Sequence, residues 1–323
     1  MQYVDLGTKL TDERMYLLEK RLNANYSAAL RTALKREKVA IEKLAAFDAT
    51  AHPELTAQQL ADARYSYMLQ VNRATGIVNN IASDIAKAGE TSAKMIQQEM
   101  LNVYGLNLDW SRYSIDRETG LLLDWTIYDK RQLQILLDKN ASPFTKIAYR
   151  NMGADRQIVM RLQNQLAQAT MLGESQPQII KRIQEVTGQS YRQAKRVAQT
   201  ERNRVASQGR FQGIEEAADM QIEMQKRWIS RLDDRVRPAH KGEQGDHVSI
   251  SGMIVDYDEP FINNAGSELM YPGDNNAPAY DVIACRCVLQ PIVKNVPNSI
   301  KQYRERMNQN WGFEKWQESR GVE

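Results

Sequence analysis

The sequence holds two cysteines, three histidines and five phenylalanines in 323 residues. Two thiols cannot staple a chain of this length, which excludes a disulfide scaffold and suits a reducing compartment. No stretch approaches the roughly eighteen apolar residues that a membrane helix needs, and the densest short cluster is Leu121-Leu122-Leu123. The opening Met1-Gln2-Tyr3-Val4-Asp5 lacks a basic flank and an apolar core, so no secretory signal is expected. Repeats and low-complexity stretches are absent too. Net charge is only +3, so overall charge does not announce a nucleic-acid protein. What is present is 42% apolar and 26% charged, the make-up of a chain that folds, and its length suits two domains of ordinary size.

The first two thirds read as helix. Leu18, Leu22, Tyr26, Leu30, Leu34, Ile41 and Leu44 recur at helical spacing and predict a helix over 11–47, capped by Thr11 and ended before His52-Pro53. A second helix is expected over 56–88, with Gly89 as punctuation, then a shorter one stopped by Gly105. Residues 106–125 look irregular, and helical spacing returns over 131–137 and 155–172. Gly173 to Pro177 form a turn with Ser175 as a cap; the next helix should end at Gly188, and Ser190 should start another reaching about 218. Past Lys226, glycine, proline, asparagine and aspartate crowd between short β-prone runs at 228–229, 248–255, 269–271 and 287–293. Residues 295–298 break the pattern, and 299–323 form an amphipathic tail. The expected class is α+β: a helical arm (1–125), a helical lead-in (126–225), a small loop-rich α+β module (226–293) and a short helical tail (294–323).

Charge is unevenly spread. Residues 181–210 carry eight basic side chains against two acidic, and 241–281 carry one basic against eight acidic. Such segments can pair with one another or face different partners. In the basic segment, Ala194, Val197, Ala198, Val205 and Ala206 form an apolar stripe, while Arg192, Lys195, Arg196, Arg202, Arg204 and Arg210 would populate the other face. Facing DNA, that face would hold phosphates without sequence preference; otherwise it is solvated, or paired with the acidic loops downstream.

His240, His247, Cys285 and Cys287 all fall in the loop-rich module. Imidazole and thiolate are the usual zinc donors, so a zinc site is one reading, although a single residue between the cysteines is tighter than the usual knuckle spacing. The others are a Cys–His nucleophile pair and two small buried thiols beside a capped loop. Asp256, Asp258 and Glu259 lack calcium-loop spacing and read as a solvated acidic loop. Arg235, Arg237 and Arg286 read best as structural forks holding carboxylates such as Asp233, Asp234 and Asp281.

At these residues the chain resembles the phage head morphogenesis family, the minor head proteins similar to protein F of phage Mu. Three elements carry the resemblance in order: Gly173-Glu174-Ser175 and the following helix to Ile183; residues 194–204 with Thr200-Glu201 and Asn203-Arg204; and Trp228 through Asp233, Arg235, Arg237, Pro238 and His240 to Cys285-Arg286-Cys287. It covers roughly residues 155–293. Ala284 departs from it, since the family often has asparagine there. The resemblance implies a minor capsid component present in few copies, associated with the portal protein and with other capsid or scaffolding proteins during procapsid assembly. It implies a place in the capsid interior near double-stranded DNA, reached from the host cytoplasm. Thr200, Glu201, Asp233, Arg235, Arg237, His240 and Arg286 would be structural motif residues. Some larger relatives carry toxin domains after this module; only about thirty residues follow Val293 here, so no effector enzyme and no cofactor beyond a zinc ion is expected. The alternative reading is a metal- or Cys/His-dependent hydrolase acting within the head.

Overall fold

In the computed structural model, which describes residues 5–139, 143–231, 236–240, 250–263, 265–295 and 312–320, the first helix begins earlier than its periodicity suggests. Helix α1 (Leu6–Arg36) is capped by Asp5, whose Oδ1 accepts the Thr8 N–H at 2.7 Å. Thr11 lies one turn inside, buried, its hydroxyl donating to the Gly7 carbonyl. Next come α2 (Lys38–Ala45), α3 (Ala57–Thr75), α4 (Ile77–Thr119), α5 (Lys130–Lys139), α6 (Pro143–Met152), α7 (Asp155–Met171) and α8 (Gln176–Asp219). Strands β1 (Met224–Ile229), β2 (Ile254–Asp256), β3 (Phe261–Ile262) and β4 (Glu268–Leu269) follow, then α9 (Ala279–Val282), β5 (Val288–Val293) and α10 (Phe313–Ser319). Among the described residues no helix is long and apolar enough to cross a membrane.

Three of the expected helix breaks are not breaks. α4 runs through Gly89 and Gly105, and α8 runs through Gly188 and Ser190. A helical glycine costs only about 1 kcal/mol, which a continuous buried stripe outweighs. Gly89 has a packing reason to be glycine: a Cβ there would lie 1.8 Å from the Met152 carbonyl oxygen, so the end of α6 rests directly on the α4 backbone. Punctuation falls instead at Gly76, in the left-handed region at φ +65°, which closes α3. Thr56 and Gln59 form a capping box at the start of that helix.

The described chain clusters into two units drawn from discontinuous segments, rather than at residues 125, 225 and 293. The helical unit takes residues 17–96 and 144–197. Its core is apolar: Leu18, Leu22, Tyr26, Ile41, Met68, Ile81, Leu162, Leu166, Ile179 and Ile183 are all at most 2% exposed. The stripes predicted from periodicity are thus satisfied within the chain. The mixed unit takes residues 1–16, 97–143 and 198–323. Within it α8 lies close on α4: a Cβ at Gly209 would meet the Tyr104 carbonyl at 2.5 Å, and one at Gly213 would meet Ser111 at 2.8 Å. This close approach lets the Ser111 hydroxyl donate to the Arg210 carbonyl at 2.8 Å.

The mixed unit's antiparallel sheet has the order β2–β1–β5, with Trp228 paired to Leu289 and Lys226 to Pro291. β3 and β4 make a separate two-stranded ribbon. Period-two alternation aims Met224, Lys226 and Trp228 of β1 inward. α10 closes the core by packing Phe313 and Trp316, edge-on or tilted, against Trp110 and Tyr113. The Asp116 carboxylate accepts the indole N–H groups of Trp125 (3.0 Å) and Trp316 (2.9 Å) and the Arg320 guanidinium (3.1 Å).

Candidate functional site

The site is built where β1, the short turn Pro238–His240 and the segment before β5 converge. Asp281 sits in the single turn of α9, whose chain then turns sharply at Ala284, a non-glycine residue at φ +56°. The left-handed region costs alanine about 1–2 kcal/mol and asparagine less, so an asparagine at this place in relatives has a backbone rationale. The Ala284 N–H donates to Thr200 Oγ1 at 3.2 Å, anchoring the turn on α8. After it the chain is extended, and alternation turns Cys285, Cys287 and Leu289 inward while Arg286 points outward and is half-buried.

His240 lies between these groups. Its Nδ1 is 3.7 Å from both Cys285 Sγ and Cys287 Sγ, and its Nε2 is 3.2 Å from Asp281 Oδ1. Trp228 packs edge-on against the imidazole at 5.2 Å, and the Ser230 hydroxyl donates to the His240 carbonyl. All four polar members are interior: exposures are 1% for His240, 0% for Asp281, 3% for Cys285 and 2% for Cys287. The two thiols titrate as a pair. Hydrogen bonding to Cys287, reinforced by burial, pushes Cys285 up; Cys287 is held below the usual thiol range by Cys285, with burial opposing and His240 and Ser230 assisting. The arrangement can hold a soft divalent ion, and it also has the connectivity of a Cys–His–Asp relay. The second use requires a substrate, yet the cavity bordering Cys287 holds about 10 Å³, room for about one water.

Of the four metal candidates the structure therefore brings three together; His247 lies outside the described residues, as do Asp233, Asp234 and Arg235. Among the described residues Arg237 donates to the Ile283 carbonyl and not to Asp281, which is turned toward His240.

The six basic residues expected on one helix face divide. Arg192 and Arg196 are exposed, and Lys195 is half-buried, bound to Glu19 at 2.8 Å. Arg202, Arg204 and Arg210 are buried and cannot form a DNA-facing surface. Arg202 pairs with Asp12, which also takes Arg231; Arg204 pairs with Glu201 at 2.8 Å. Arg210 uses all five of its N–H donors: Asn107 Oδ1, both oxygens of Asp5, Thr8 Oγ1 and the Leu289 carbonyl, at 2.7–3.1 Å. It thus ties α1, α4, α8 and β5 at one point. Burial pushes the Asp5 carboxyl up, but Arg210 and the Thr8 bonds outweigh it and hold Asp5 below the usual range. Among the described residues the basic segment is answered by Asp5, Asp12 and Glu19, upstream of it. A signal for this was in the spacing: Arg202 and Arg210 fall four residues after Ala198 and Ala206 of the apolar stripe.

Another buried cation, Lys226, lies over the rings of Phe211 (4.9 Å) and Phe261 (5.3 Å). Burial pulls it down to about 8, against the pull of Asp274, Asp258, Glu215 and Glu259.

The family described as Phage Mu protein F like protein matches residues 160–290, the stretch that contains α8, the sheet up to the first half of β5 and the His240–Cys285–Cys287 cluster. The chain is 26% identical over 240 residues to minor head protein GP7 of Bacillus phage SPP1, covering 74% of this chain and 75% of that protein. It is also 24% identical over 230 residues to the NAD(+)–arginine ADP-ribosyltransferase EFV of Enterococcus faecalis, covering 70% of this chain but 43% of that one. No solved structure matches. By their motifs, the order of these and the matches, residues 160–290 are similar to the phage head morphogenesis family, the proteins like protein F of phage Mu.

Proposed function

We propose that the chain is a minor head protein: a structural component, present in few copies, that joins the procapsid through the portal protein and takes part in assembly and in DNA packaging or ejection. The observation that carries this reading is the match to minor head protein GP7, which extends over about three quarters of both chains and so reaches into both units. The interior of the mixed unit supports it. His240, Asp281 and the two thiols face one another instead of a cleft, which suits a rigid docking body better than a hydrolase. Other capsid or scaffolding proteins are the further partners, in the capsid interior of the virion and, during assembly, in the host cytoplasm. Contact with double-stranded DNA falls to Arg192, Lys195 and Arg196, and would be non-specific and weaken steeply with salt. Quantitative mass spectrometry of procapsids and virions, made with and without the portal gene, tests the reading. A few copies per particle that vanish with the portal are expected; absence from every particle would discard it.

The similarity to ADP-ribosyltransferase EFV favours a second, enzymatic reading. The shared stretch takes in less than half of that protein, so its activity need not lie there. Incubating the purified chain with NAD⁺ and an arginine analogue decides: no nicotinamide release above buffer is expected, and sustained release would install the enzyme.

A further inference from the structure

We infer that His240, Cys285 and Cys287 form a structural zinc site. The donor set is one that zinc takes, and its geometry fits before any ion is added. A tetrahedral zinc with Zn–S of about 2.3 Å and Zn–N of about 2.05 Å has N···S edges of about 3.6 Å. The two Nδ1···Sγ distances are both 3.7 Å, and the three donor atoms all lie within 4.8 Å of one another.

The surroundings complete the case. Asp281 accepts from Nε2, which fixes the tautomer whose Nδ1 lone pair points at the thiols; a carboxylate behind a metal-bound imidazole plays this part. Among the described residues Asp281 Oδ2 is buried without a hydrogen-bond partner, so the site carries buried negative character that a cation would balance. Both cysteines are free thiols although they are two residues apart and buried together. The cluster also joins segments that regular structure hardly reaches: a three-residue turn at 238–240 and the stretch between the four-residue α9 and β5. A metal tie is most useful where hydrogen-bonded ladders are short. The fourth vertex falls to a water molecule or to Ser230 Oγ, 3.5 Å from Cys287 Sγ. Because the donors are interior, the ion would hold the fold and not meet a substrate. The site stands whether or not the chain enters a phage head.

The test uses the full chain, expressed with zinc in the medium and purified under reducing conditions. Elemental analysis should find about one zinc per chain. Chelation should lower the melting temperature by about 5 °C or more, and added Zn²⁺ should restore it. Cobalt in place of zinc should show thiolate-to-cobalt charge-transfer and tetrahedral d–d absorption, both lost in Cys285→Ser/Cys287→Ser. Asp281→Asn should keep one zinc but yield it to a competing chelator about 10–100-fold more readily, the effect of a positioning residue. Since the cysteine variants could fail to fold, the decision rests on the wild-type chain. Less than about a tenth of a zinc per chain with a melting temperature indifferent to chelator and Zn²⁺ would overturn the site, as would a Cys285–Cys287 disulfide in the freshly purified protein.

Discussion

The two units bury different things. Among the described residues of the helical unit Glu37 is the one buried charged side chain, and it meets Arg36 and Asn80 at the junction of α1 and α2. The mixed unit buries Arg112, Arg202, Arg204, Arg210, Lys226 and Asp281, among others. Long helices satisfy their own backbone, so the helical unit needs only apolar stripes in register. Short strands and loops do not, and arginines and carboxylates take over the joints that ladders leave open. The helical unit is therefore tolerant in detail, whereas the mixed unit is specified by a few connections that cannot be removed singly.

The largest break in that contrast should come from Arg210→Leu. It strands the Asp5 carboxylate, Asn107 and the Leu289 carbonyl in the interior and should cost about 3–5 kcal/mol in a chemical melt. Gly209→Ala comes next: the new methyl meets the Tyr104 carbonyl, and about 1–3 kcal/mol should be lost even though alanine is the better helix former.

Lys226→Met should act in the opposite direction. The folded-state value of Lys226 is depressed to about 8, so between there and the unfolded value of 10.5 the unfolded chain holds the proton more strongly. Wild-type stability should accordingly gain a contribution as pH rises through that window, with the burial penalty fully present at pH 7. The methionine variant should gain about 1 kcal/mol at pH 7 and lose the upward slope. Ala284→Gly relieves the left-handed backbone and should add up to about 1 kcal/mol. The smallest effect belongs to the helical unit. Lys195→Ala removes a pair with Glu19 whose members are 38% and 23% exposed, and less than about 0.5 kcal/mol should go with it.

The same contrast explains what the sequence could disclose. Apolar periodicity found the helical unit's core, because Leu18, Leu22, Tyr26, Ile41 and Leu44 are buried where their spacing places them. Glycine misled at Gly89, where its role is to admit the Met152 carbonyl, a contact across some sixty residues that no local pattern encodes. In the mixed unit the class, the last strand and the clustering of histidine and cysteine were legible. The burial of Arg202 and Arg210 left only the trace of their spacing from the apolar stripe, and that of Arg204 none, since a charge is assigned to the surface until a partner is known, and Asp5 and Asp12 lie some two hundred residues away. Asp281 was noticed as a partner for arginine, but only the turn at Ala284 brings the two cysteines back to the histidine it supports.

Hydrogen–deuterium exchange on the wild type and Arg210→Leu tests most directly whether charged connections hold the mixed unit and apolar packing the helical one. The account predicts that β1, β5 and α10 lose protection by orders of magnitude while α2, α3 and α7 keep theirs. Equal loss in both units, or protection of β1 and β5 unchanged, would contradict it.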